Sequence, residues 1–86
     1  MEETKVIKVL LLSSQEIVVS EIEEIAAEFG DPNFKLTKPY KIVDGALNKW
    51  MEDYTEQNEV MINSDKIVTL VTPSPMIFEQ YSKVTS

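Results

Sequence analysis

Apolar residues in this chain fall in short runs separated by turn formers, which is the signature of strands rather than long helices. Residues 5–12, KVIKVLLL, are β-branched and leucine-rich without a breaker, and read as a strand largely covered on both faces. Ser13-Ser14-Gln15-Glu16 interrupts the run, and Ile17-Val18-Val19 starts a second one, so an antiparallel hairpin is expected. From Ser20 onward two readings compete. Ser20 and Glu23 have capping-box spacing, with Ile22, Ile25, Ala26 and Phe29 on one helical face and Gly30 and Pro32 as terminators. Equally, no turn residue separates Val19 from Ser20, so the second strand can run on with Val18, Ser20, Ile22 and Glu24 sharing a face.

Gly30-Asp31-Pro32-Asn33 is a turn by composition. The stretch FKLTKPYKIV follows as a strand bent at Pro39, since proline cannot donate a ladder hydrogen bond. Asp44-Gly45 signals a further turn, and residues 46–51 fit either strand or helix. Trp50 is expected in the core or a subunit interface, because aromatics bury the most area per residue. Residues 52–59 read as an acidic, solvated loop around Tyr54. Val60-Met61-Ile62 and KIVTLVT are strands, the latter apolar on both faces and so central or at an interface. Ser74 as cap and Pro75 at the first helical position predict a short C-terminal helix carrying Met76, Ile77, Phe78 and Tyr81. The whole pattern is one mainly all-β domain spanning residues 1–86, with about five strands as in a small barrel, closed by that helix.

Composition narrows the functions. An 86-residue chain holds one core and little more, and this one has no cysteine and no histidine, so disulfides and zinc cannot supplement it. Self-association becomes the favoured stabiliser. The same absences exclude Ser-His-Asp, Cys-His and zinc chemistry, and two glycines cannot form a phosphate-cradling loop. No enzyme activity and no cofactor are expected. Glu52, Asp53 and Glu56 could offer oxygen ligands to a divalent cation, but they lack calcium-loop spacing and read as a solvated loop. Glu21, Glu23, Glu24 and Glu28 read likewise as a solvated face.

No apolar run approaches the roughly 20 residues that span a bilayer, and the acidic opening of residues 1–4 is unlike an export signal. With no cysteine, a cytoplasmic setting is expected. Fifteen acidic residues against eight lysines give a net charge of −7, which repels polyanions. The local exception is Lys35, Lys38 and Lys41 around Tyr40, a group able to meet phosphate and stack on a base, or simply to keep a strand soluble.

Taken together, KVIKVLLLSSQEIVVSEIEEI, FKLTKPYKIV, LNKW before an acidic loop, and NEVMINSDKIVTLVTPSPMIFEQY resemble, in order and spacing, the small Sm-like proteins of marine bacteriophages, including cyanophages. The resemblance covers nearly the whole chain. It implies a strongly bent, five-stranded antiparallel SH3-like barrel whose edge strands pair between subunits in a closed homo-oligomeric ring. It also tips the conflict that begins at Ser20 toward strand. Under it, Lys66, Ile67, Val68, Thr69, Leu70 and Val71 would supply an intersubunit edge, within the host cytoplasm. Sm-like rings typically bind single-stranded RNA, which makes Asn33, Lys35, Lys38, Tyr40 and Lys41 the candidate contacts. Asp31 and Asn33 are the nearest matches to the first Sm motif, while the arginine-glycine pair of the second has no counterpart. The alternative is an oligomeric scaffold or adaptor whose acidic surface engages a basic protein partner.

Overall fold

A computed structural model describes residues 6–86; Lys5, where the first predicted strand begins, and the opening residues 1–4 lie outside the described residues. Six strands and one helix follow in order: β1 (Val6–Leu12), β2 (Ile17–Glu24), β3 (Phe34–Val43), β4 (Ala46–Lys49), β5 (Glu59–Ile62), β6 (Ile67–Val71) and α1 (Pro75–Thr85). The mainly β class and the C-terminal helix stand as expected. The strand beyond the expected five is β4, from residues that sequence left between strand and helix.

Turn chemistry explains the hairpins. Gln15 takes a left-handed φ of 72° between β1 and β2, and the Leu12 and Glu16 backbones close the loop at 2.9 Å. Asp44 and Gly45 have φ of 52° and 80°, the double left-handed geometry of a two-residue hairpin, so Val43 pairs directly with Ala46. In α1, the Ser74 hydroxyl accepts from the Ile77 N–H at 3.3 Å and Pro75 fills the first turn.

Every pairing is antiparallel, in the order β4-β3-β2-β1-β6, with β5 beside β4 on the outer margin of β3. β5 and β6 therefore run the same way on opposite margins, yet only residues 63–66, mostly one 3-10 turn, join them. Laid flat, four interstrand steps of ~4.8 Å and roughly eight residues of axial offset at ~3.3 Å would separate Ile62 from Ile67 by about 32 Å. The link reaches ~18 Å at most. The sheet must therefore curl strongly, and its apolar lining becomes the core. Leu10, Leu12, Val18 and Leu36 form that core, with Ile22, Trp50, Val60, Ile62 and Ile67 packed around it.

The bend centres on a bulge. Val19 pairs with Tyr40 and Glu21 with Thr37, so Lys38 and Pro39 together oppose Ser20. Lys38 is left-handed at φ 53°, and here the outer margin of β3 changes partner from β5 to β4. Asn58 C=O receives the Lys38 N–H, Trp50 N–H donates to Pro39 C=O at 3.0 Å, and proline's missing donor falls at this seam.

One open alternative closes and one expectation changes. Residues 20–29 hold no helix: β2 continues to Glu24, and a loop follows in which the Ile25 N–H donates to Asn33 C=O at 2.8 Å. Ser20 is fully buried, its hydroxyl 3.0 Å from Thr37 C=O and 2.8 Å from Glu21 C=O, so it serves the bulge instead of capping a helix. Phe29, which would have sat on the helix's apolar face, is fully exposed. Nor is β1 covered on both faces: Leu10 and Leu12 are buried while Leu11 between them is exposed, because β6 extends the sheet beside β1 without covering its outer face.

Candidate interaction surfaces

The five residues suggested for RNA contact come from one strand and its approach, and each has an internal partner. Asn33 accepts the Ser64 N–H on Oδ1 at 2.9 Å, tying the corner between β5 and β6 to the loop before β3. Lys35 lies opposite Glu23 and pairs with it at 3.4 Å; Lys41 reaches back to Glu16 in the first hairpin turn at 3.2 Å. Lys38 Nζ donates to Thr85 C=O and the Tyr40 hydroxyl to Val84 C=O, both at 3.3 Å. Those carbonyls are the orphan acceptors of the helix C-terminus, where a cation is also favoured by the helix dipole. Lys38 and Tyr40 thus dock α1, while Lys35 and Lys41 sit toward opposite ends of β3.

Tyr81 completes that docking. It is 1% exposed, its ring meets Tyr40 edge-on at 6.0 Å, and its hydroxyl donates to Lys38 C=O at 2.8 Å while accepting the Glu21 N–H at 3.1 Å. Burial above all, with the nearby Glu21 charge, pushes the phenol up to about 12 against the opposing bonds from Glu21 N–H and Ser20.

The stretch suggested as an intersubunit edge is β6 together with Lys66 of the 3-10 turn. Lys66 C=O accepts the Ser13 N–H at 2.8 Å, which fixes the start of β6 against the hairpin turn. β6 pairs with β1 on one side and ends the sheet on the other among the described residues. Val68 is 62% exposed, and Leu70 and Val71 are exposed as well.

A third surface was not singled out in the sequence. An open cleft of about 580 Å³ is lined by Trp50, Met51, Tyr54, Glu52 and Asp53 together with the Glu16–Lys41 pair and Lys49. Partial burial alone would raise the Glu16 carboxyl, but hydrogen bonds from Ser14, Lys41 and the Trp50 indole, with the Lys41 charge, hold it below the usual range. Among the described residues, no three or more acidic groups stand together as a metal site, and no helix is long and apolar enough to cross a membrane.

Residues 5–86 match the model of a family described as Family of unknown function (DUF6561). The chain belongs to DUF6561. No curated protein matches it. Membership in DUF6561 assigns no activity.

Proposed function

We propose that this DUF6561 chain is a non-catalytic, Sm-like assembly domain, built into a homo-oligomeric ring through β6 and serving as an adaptor for a basic protein partner. The observation that carries the reading is the outer margin of β6. Natural sheets blunt such margins with charge, proline or a covering element, whereas IVTLV carries neither charge nor proline and is apolar on both faces. An uncharged, largely apolar margin that is uncovered among the described residues calls for a strand from elsewhere. A second copy can supply it from the β4 and β5 margin, a head-to-tail contact that closes into a ring when the rotation permits. The net charge of −7 and the internal partners of Lys35, Lys38, Tyr40 and Lys41 favour a basic protein over RNA as the further partner.

Size-exclusion chromatography with light scattering tests the assembly. Wild type is expected at a multiple of 9.8 kDa, and Val68→Glu at the monomer mass with unchanged far-ultraviolet dichroism. A wild-type monomer at every concentration would overturn the proposal.

A further inference from the structure

The cleft beside Trp50 points to a binding function that deepens the adaptor reading, on which it rests for the partner's nature. We infer that this cleft receives a cationic side chain, an arginine or lysine of a basic protein, between the aromatic groups of Trp50 and Tyr54 and the carboxylates of Glu52 and Asp53. Aromatic faces attract guanidinium and ammonium groups, and Trp does so best. Trp50 is half-buried against the core, its backbone N–H is fixed on Pro39 C=O at 3.0 Å, and its side chain neighbours Glu16. Its ring is therefore held in place before any ligand arrives.

The following turn is equally constrained. Met51 adopts a left-handed φ of 62°, uncommon for a bulky residue, and its carbonyl accepts both the Tyr54 N–H at 2.9 Å and the Thr55 N–H at 3.1 Å. That turn brings Glu52, Asp53 and Tyr54 to the cleft. Of the two lysines at its border, Lys41 is neutralised by Glu16 at 3.2 Å, leaving Lys49 against two carboxylates. Among the described residues neither Glu52 nor Asp53 has an ion-pair partner. The balance of charge selects a cation, and Tyr54, 83% exposed, offers a large apolar ring to water that a bound side chain would cover.

Trp50 is the sole tryptophan, so its emission reports on the cleft directly. The probe is a nine-residue arginine-glycine peptide, with a glutamate-glycine peptide and oligo-uridine alongside. The arginine peptide is expected to change Trp50 emission saturably, whereas the other two leave it unchanged. Tyr54→Ala and the pair Glu52→Gln, Asp53→Asn should each weaken binding about five- to tenfold. The charge-matched control Glu24→Gln, Glu28→Gln should bind like wild type. No saturable change, the same change with oligo-uridine, or equal loss in the control would each overturn the inference. The cleft lies within one subunit, so light scattering on the same samples separates the failure of assembly from the failure of cation binding.

Discussion

Replacing Tyr81 by phenylalanine removes one oxygen and little volume, yet that oxygen meets three part-buried backbone groups at the bend of the sheet, the Glu21 N–H and the carbonyls of Thr37 and Lys38. The Glu21 N–H at 3.1 Å loses its acceptor and Lys38 C=O loses the donor at 2.8 Å, while Thr37 C=O keeps the Ser20 hydroxyl at 3.0 Å. A buried polar group without a partner costs about 1–3 kcal/mol, and the two groups orphaned here are only part-buried, so Tyr81→Phe should lose about 2–4 kcal/mol. Domains hold ~0.05–0.15 kcal/mol per residue, which makes this a large share of the total stability. For a domain of this size the melting temperature should fall by about 10–30 °C.

The alkaline limb provides a separate check. Tyr81's folded pKa of about 12 stands above the ordinary phenol value of 10.0, so the unfolded chain loses this proton first as pH rises. Between those values the folded state binds more protons, and stability conferred by the neutral phenol, complete below pH 10, is lost toward pH 12, on the order of 2 kcal/mol. Phenylalanine has no proton to lose. Urea unfolding followed by Trp50 emission, at one protomer concentration, should therefore show a gap between wild type and Tyr81→Phe that is widest near pH 8 and narrows toward pH 12. A gap below about 0.5 kcal/mol at pH 8, smaller than one ordinary hydrogen bond, or one that does not change with pH, would refute the role given to the hydroxyl.

Gln15→Gly should stabilise the first hairpin by about 0.5–1 kcal/mol, because φ 72° suits glycine better than a residue with a Cβ; a lower urea midpoint would contradict that. Asn33→Ala should lose about 1–2 kcal/mol and accelerate exchange of the Ser64 amide, which hydrogen exchange resolves by residue; unchanged protection there would show that Asn33 does not hold the corner. Lys41→Ala should cost under about 1 kcal/mol, since the pair with Glu16 is partly exposed. The lowered Glu16 pKa means the stabilisation it gives is present above the unfolded carboxyl pKa and lost as pH falls through the folded one. Without Lys41 that acid limb, read by Trp50 emission, should move to higher pH.

The elements that local chemistry dictates were legible in the sequence. Asp44-Gly45 gives a two-residue hairpin and Ser74-Pro75 starts a helix, because the needed dihedrals and caps lie within two or three residues. Residues 20–29 were ambiguous because capping-box spacing and strand alternation coexist there, and the deciding partner, the bulge at Lys38 and Pro39, lies far along the chain. The engagement of the lysines was illegible for the same reason: Glu16, Glu23 and the α1 carbonyls meet β3 only after the sheet curls. Trp50 was placed in core or interface and Tyr54 in a solvated loop, and both descriptions hold in part. What they miss is Met51, whose left-handed turn sets the two aromatics around one cleft, with W-M-E-D-Y as the faint signal.

A curled sheet of this size buries few large side chains: Leu10, Leu12, Val18, Val19, Leu36 and Tyr81 are the buried hydrophobic residues among those described. Val68, Leu70 and Val71 on β6, with Met76 and Phe78 just beyond in α1, remain exposed instead. Association with a partner is one way a small domain recovers such missing burial. If copies of the chain provide it, folding and assembly are one linked equilibrium, and diluting the protein from about 100 μM to about 1 μM must lower its melting temperature by mass action. Val68→Glu, which places a charge on the outer margin of β6, should then melt lower and at one temperature across the same dilution. A wild-type melting temperature indifferent to concentration would mean that the short core suffices alone, and that the apolar face of β6 answers to something other than a second copy.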